Sequence, residues 1–106
     1  MNNETSSETQ RPEFSLNIFR LDQRVALVTG AGVGLGRVFA RALATAGAKV
    51  VCADIDLNIA QEAARTIAAA GGDALALQVD VADEASVAKL MADINNHYGP
   101  LDILVN

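Results

Sequence analysis

A chain of 106 residues with 51% hydrophobic content is long enough for one small domain and no more. Its net charge of −5 and its lack of any basic cluster argue against nucleic-acid and anionic-membrane partners. A single cysteine, Cys52, precludes an internal disulfide; no apolar run reaches the length of a membrane span; and the N-terminus lacks the basic and apolar regions of a secretory signal, so a cytoplasmic protein is expected.

Residues 1–18 are read as a polar extension without fixed structure, because Met1 to Glu13 has no aliphatic residue after Met1. Phe14, Leu16, Ile18, Phe19 and Leu21 then form an apolar lead-in, expected to pack on the sheet edge or on a neighbouring subunit. Val25 to Val28 is a short β-branched run that reads as a buried strand, ended by Thr29 and Gly30. Glycines follow at every second position, Gly30, Gly32, Gly34 and Gly36. From Leu35 the period becomes helical, with Leu35, Val38, Phe39, Ala42 and Leu43 at three- and four-residue steps until Gly47 stops the helix. Lys49 to Ala53 is a second strand, ending in Asp54. Asp56 is a candidate cap for a second helix with Ile59, Ala60, Ala63, Ala64 and Ile67 on one face, closed by Gly71 and Gly72. Ala74 to Val79 is a third strand, ending in Asp80. Asp83 caps a third helix, with Val87, Leu90, Met91 and Ile94 expected inward and Gly99–Pro100 closing it. Leu101 to Val105 is a fourth strand, followed by Asn106.

Strands alternating with helices through short loops imply parallel strands and right-handed crossovers. The expected fold is α/β: a Rossmann-type doubly wound parallel sheet in the order 3-2-1-4, with residues 19–106 forming the N-terminal half of a dinucleotide-binding domain and the sheet stopping after its fourth strand. Ligands of such sheets bind beyond the carboxyl ends of the strands, where Gly30, Asp54, Asp80 and Asn106 fall. A strand, a glycine turn and a helix opening from the turn leave backbone N–H groups facing an anion, with the helix dipole adding partial positive charge. No Gly-Lys pair exists for a P-loop. The G-x-G-x-x-G fingerprint also fails, since its last glycine would fall on Leu35 or Arg37. What remains is T-G-x-x-x-G-x-G, carried by Thr29, Gly30, Gly34 and Gly36, with Val33 and Leu35 between the glycines. Asp54 follows about 20 positions later, where such folds place the acid for the adenosine ribose hydroxyls.

This loop resembles that of the short-chain dehydrogenase/reductase family, and the resemblance extends from Phe19 to Asn106. It implies an oxidoreductase that transfers hydride between NAD and a secondary alcohol or ketone. Family members that prefer NADP tend to carry a basic side chain before the second motif glycine or after the acid; here Val33 and Ile55 stand there, so NAD is expected over NADP. Asp80 and Val81 match the family's pair that meets the adenine. Leu104 to Asn106 resembles the start of the family's Asn-Asn-Ala-Gly segment. The family's catalytic Tyr-x-x-x-Lys has no match: Tyr98 is the only tyrosine, and Asp102 stands four residues on. No catalytic residue and no metal ligand is therefore identified, and the 106-residue chain alone is expected to be inactive. Homo-oligomers are expected of the full-length form. Tyr98 and His97 read as packing and helix-end residues, and Cys52 as a buried, inert thiol.

Two other readings fit parts of the pattern. A methyltransferase-like domain, which binds S-adenosylmethionine, would use Gly30, Gly32 and Gly34 with Asp54, but Val28 stands where it usually carries an acid. A non-catalytic nucleotide-binding module would use the same loop and strand ends.

Overall fold

The computed structural model describes residues 20–106. The apolar lead-in up to Phe19 and the proposed boundary at residue 18 lie outside them. The elements are β1 (Val25–Thr29), α1 (Gly34–Thr45), β2 (Lys49–Asp54), α2 (Leu57–Ala69), β3 (Asp73–Gln78), α3 (Glu84–His97) and β4 (Ile103–Val105). The strands form one sheet in the order β3-β2-β1-β4, and every pair is parallel. The Rossmann-type order expected from the sequence is the observed one.

Both faces of the sheet are covered, which explains why the central strands are almost uniformly apolar. Ala26 and Val28 of β1 and Val50 and Cys52 of β2 pack with Ala40 of α1 and with Ala63 and Ile67 of α2. Val25, Leu27, Val51 and Ala53 point the other way and pack with Leu90 and Ile94 of α3. Cys52 is fully buried, and burial pushes its thiol up to about 11, so it is an inert core residue. Leu21 packs on the first of these layers, and its N–H donates to Ala46 O at 2.7 Å, so this part of the lead-in docks beside the end of α1.

The structure shows which side of α1 meets the core, and two expectations are corrected. The stripe of Leu35, Val38 and Phe39 on α1 faces outward, 67%, 59% and 41% exposed, while Ala40 is buried and Leu43 and Ala44 are half-buried against the core. Apart from the polar stripe of Arg37, Arg41 and Thr45 the helix is apolar, so its period reveals a helix without revealing which of the apolar residues meet the sheet. Small residues at Ala40 and Ala44 let α1 sit close to the sheet. Met91 is also exposed, at 39%, because α3 rests on Leu90 and Ile94 with Val87 half-buried, and Met91 is turned aside from that line. Finally, the ladders are shifted at their ends. β3 starts at Asp73, paired with Lys49, and ends at Gln78; Val79 is buried but leaves the ladder with its N–H on Asp54 O at 3.0 Å. β4 is confined to Ile103–Val105; just before it, Asp102 N donates to Val25 O at 2.9 Å while its carboxylate accepts from Val25 N at 2.8 Å.

Among the described residues, no helix is long and apolar enough to cross a membrane. The helices end as the glycines suggest: Gly47, Gly71 and Gly99 all have positive φ.

Candidate nucleotide site at the carboxyl ends of the strands

Parallel pairing brings the ends of all four strands to one edge of the sheet. Thr29 and Gly30, Asp54 and Ile55, Val79 to Val81, and Asn106 line a hollow of about 410 Å³ there. Val79 was not singled out from the sequence as a site residue; its apolar side chain read simply as the end of a strand. Backbone hydrogen bonds hold the rim together. Gly30 N and Ala31 N both donate to Ala53 O, at 2.8 and 3.3 Å, so the glycine turn is hung from the end of β2. Thr29 Oγ1 donates to Asn106 Oδ1 at 2.7 Å, which ties β1 to the residue after β4.

The glycine loop runs from Gly30 to Gly36, and its glycines serve two purposes. Gly30 and Gly34 have φ of 65° and 55°, a region that costs any residue with a Cβ about 1–2 kcal/mol. Gly36 has an ordinary φ, but a Cβ there would lie 2.2 Å from Gly30 O, so α1 can start directly against the turn only with glycine at this position. Val33 occupies the cap position of α1 in extended conformation and makes no side-chain cap. In α2 and α3 the corresponding aspartates do cap: Asp56 accepts from Asn58 N and Asp83 from Ala85 N. Among the described residues, no side chain accepts from the first N–H groups of α1, and its first turn carries no acidic residue. An anion placed there meets open donors and the positive end of the helix dipole. Val33 and Leu35 are exposed, at 61% and 67%.

Asp54 is half-buried at the end of β2. Its Oδ1 accepts from Asp56 N at 3.0 Å, which orients the carboxylate; among the described residues nothing donates to Oδ2. Ile55 follows, 65% exposed, with its carbonyl held by Gln78 Nε2 at 2.9 Å. Across the hollow, Val81 is likewise 65% exposed. Asp80 is fixed from both sides: its N–H donates to Ser86 Oγ at 2.9 Å, and its Oδ1 accepts from Ala82 N at 3.0 Å. Among the described residues, the hollow thus has two carboxylates, two exposed aliphatic walls and no basic side chain.

The remaining polar residues lie elsewhere. Tyr98 sits near the amino ends of the strands, with its hydroxyl donating to the Asp73 carboxylate, its ring edge-on to His97, and Lys49 Nζ 5.8 Å from its centre. Burial, then the bond and charge of Asp73, raise its pKa well above the ordinary tyrosine range, so it stays a protonated packing residue. No group of His, Cys, Asp and Glu among the described residues could hold a metal ion.

Residues 24–106 match the model of the short chain dehydrogenase family. The chain is 47% identical over 87 residues to the sorbitol dehydrogenase of Cereibacter sphaeroides, an alignment covering 82% of this chain and 33% of that protein. It is 49% identical over 89 residues to versicolorin reductase 1 of Aspergillus parasiticus, covering 80% and 33%. Its fold superposes on the crystal structure of a hydroxysteroid dehydrogenase from Escherichia coli with a TM-score of 0.84 and 38% identity, over 87% of this chain and 39% of that one. The chain thus spans about a third of the length of the curated relatives it matches. The glycine turn, the acid closing β2 and the strand order all lie within the matched residues, and the chain belongs to the short chain dehydrogenase family.

Proposed function

We propose that this chain is the NAD-binding part of an oxidoreductase that moves hydride between NAD and a secondary alcohol or ketone. The family uses nicotinamide dinucleotides, which supply or accept the hydride when bound. This chain's residues bind and orient the dinucleotide. Backbone N–H groups at the start of α1, opened by Gly30, Gly34 and Gly36, receive the pyrophosphate; Gly32, Val33 and Leu35 belong to the same loop. Asp54 Oδ2 accepts from the adenosine ribose. Ile55 and Val81 flank the adenine, with Asp80 beside it as an acceptor for the exocyclic amine. Thr29 and Asn106 brace the inner wall. The remainder of the activity, including the proton transfer to or from the substrate oxygen, belongs to residues outside this chain, and homo-oligomers form in the complete protein.

One observation carries the choice of NAD. Among the described residues, none of those lining the hollow of Asp54 and Asp80 is basic, so a 2′-phosphate there would face the negative charge of two carboxylates. The test is Asp54→Ala in the intact protein, with NADH and NADPH titrated separately. The wild-type preference for NADH should shrink by about tenfold or more, equivalent to one charge-assisted hydrogen bond. An unchanged ratio would show that Asp54 does not meet the ribose.

A further inference from the structure

Gly32 differs from its neighbours in the loop. Its φ lies outside the left-handed region, so backbone conformation does not require glycine there. Space does. A Cβ on residue 32 would fall 1.7 Å from Ile59 Cγ2, 3.1 Å from Ile59 Cβ and 3.2 Å from Ile59 O. The methyl of Ile59 therefore fills the volume that a side chain at position 32 would take.

That methyl is held firmly. Ile59 is the third residue of α2, and a β-branched side chain within a helix has one strongly preferred χ1, so Cγ2 cannot swing aside cheaply. The turn beneath it is pinned as well: Ile59 N donates to Asp56 O at 3.1 Å, Asn58 N to Asp56 Oδ1 at 2.9 Å, and Asp56 N to Asp54 Oδ1 at 3.0 Å. A continuous path of contacts thus runs from the Asp54 carboxylate through the cap of α2 and the Ile59 methyl to the middle of the glycine loop.

We propose that Ile59 is a positioning residue for the cofactor: its Cγ2 methyl, packed into the space left by Gly32, sets the glycine loop at a fixed distance from Asp54, so that the pyrophosphate and ribose ends of the dinucleotide are held in register. This rests on the cofactor reading above. Ile59 touches no part of the dinucleotide itself; it acts through Gly32. The pairing is reciprocal, with glycine at 32 required by the branched methyl at 59 and that methyl left without its contact if the loop retreats.

The experiment measures the NADH dissociation constant of the intact protein by the cofactor's own fluorescence, together with urea unfolding. The variants are Gly32→Ala, Ile59→Ala, Ile59→Val, Ile59→Leu and the double variant Gly32→Ala/Ile59→Ala. Gly32→Ala should weaken NADH binding about tenfold or more, because neither the loop nor the helix turn can yield without moving a ligand contact. The double variant should regain most of that loss, with the new Cβ at 32 standing where the methyl was. Ile59→Ala and Ile59→Leu should each weaken binding, whereas Ile59→Val, which keeps Cγ2, should restore it. Should Gly32→Ala fail to fold, the contrast between the valine and leucine variants decides the matter. Equal affinities for Val, Leu and Ala at position 59, additive effects in the double variant, or altered unfolding with unaltered NADH affinity would each overturn the proposal. A wild-type protein that binds no NADH would instead overturn the cofactor reading, and this proposal with it.

Discussion

Replacing Gly36 by alanine is the sharpest test of how the loop and helix meet. In an ordinary helix the change would stabilise by about 1 kcal/mol, because alanine is the better helix former. Here the new Cβ would lie 2.2 Å from Gly30 O and 3.0 Å from Gly30 C, both of them backbone atoms. No rotamer change relieves that contact; the start of α1 and the turn must separate by about 1 Å to reach van der Waals distance. The turn resists, since Gly30 N and Ala31 N are both fastened to Ala53 O. Overpacking of this kind costs about 1–3 kcal/mol, and with rigid backbone on one side the upper part of that range applies. Subtracting the helix-propensity gain leaves a net loss of about 1–2 kcal/mol, or a factor of about 5–30 in the folding equilibrium. Urea unfolding of the intact protein followed by circular dichroism gives this number directly. Gly34 provides the contrast, because nothing lies within 4 Å of a Cβ there and only its φ of 55° objects. Asparagine, which tolerates that region, should therefore recover much of the loss at position 34 and none at position 36. A Gly36→Ala protein as stable as wild type would refute the close approach of turn and helix.

Two further predictions concern residues outside the site. Asp102→Ala strips the acceptor from the N–H of Val25, a residue 3% exposed, and should cost about 1–3 kcal/mol in unfolding free energy, whereas Asp102→Asn, which keeps an acceptor, should cost much less. Equal losses for the two variants would contradict this. Tyr98 and Cys52 both have pKa values raised in the folded state, so the folded protein retains protons that the unfolded chain has released in alkali. Their contribution is complete below the unfolded values and is lost as pH rises above them, so unfolding free energy should fall from about pH 9 upward. Tyr98→Phe should flatten that decline; an alkaline slope identical to wild type would show that Tyr98 takes no part.

The order of elements was legible because each strand is a short apolar run, β-branched in β1, β2 and β4 and Ala-Leu in β3, and each helix is stopped by glycine. The spacing from the loop to Asp54 similarly announced where the polar strand ends would gather. The facing of α1 was not legible. Leu35, Val38 and Phe39 are larger and more apolar than Ala40 and Ala44, yet close packing on the sheet selects the small residues. Met91 misled for a related reason, since it lies next to the true contact line of Leu90 and Ile94. The role of Gly32 was hidden too. Read in the loop it looks like one more flexible glycine, and only the position of Ile59, far along the chain, shows that the constraint is space. Likewise the site contribution of Val79 could not be separated from its role as a strand residue.

The most direct measurement is a crystal structure of the intact protein with NAD bound. The pyrophosphate should lie against the first N–H groups of α1, the adenosine ribose on Asp54, and the adenine between Ile55 and Val81. A dinucleotide bound away from the carboxyl ends of β1 and β2, or with its ribose out of reach of Asp54, would contradict this reading.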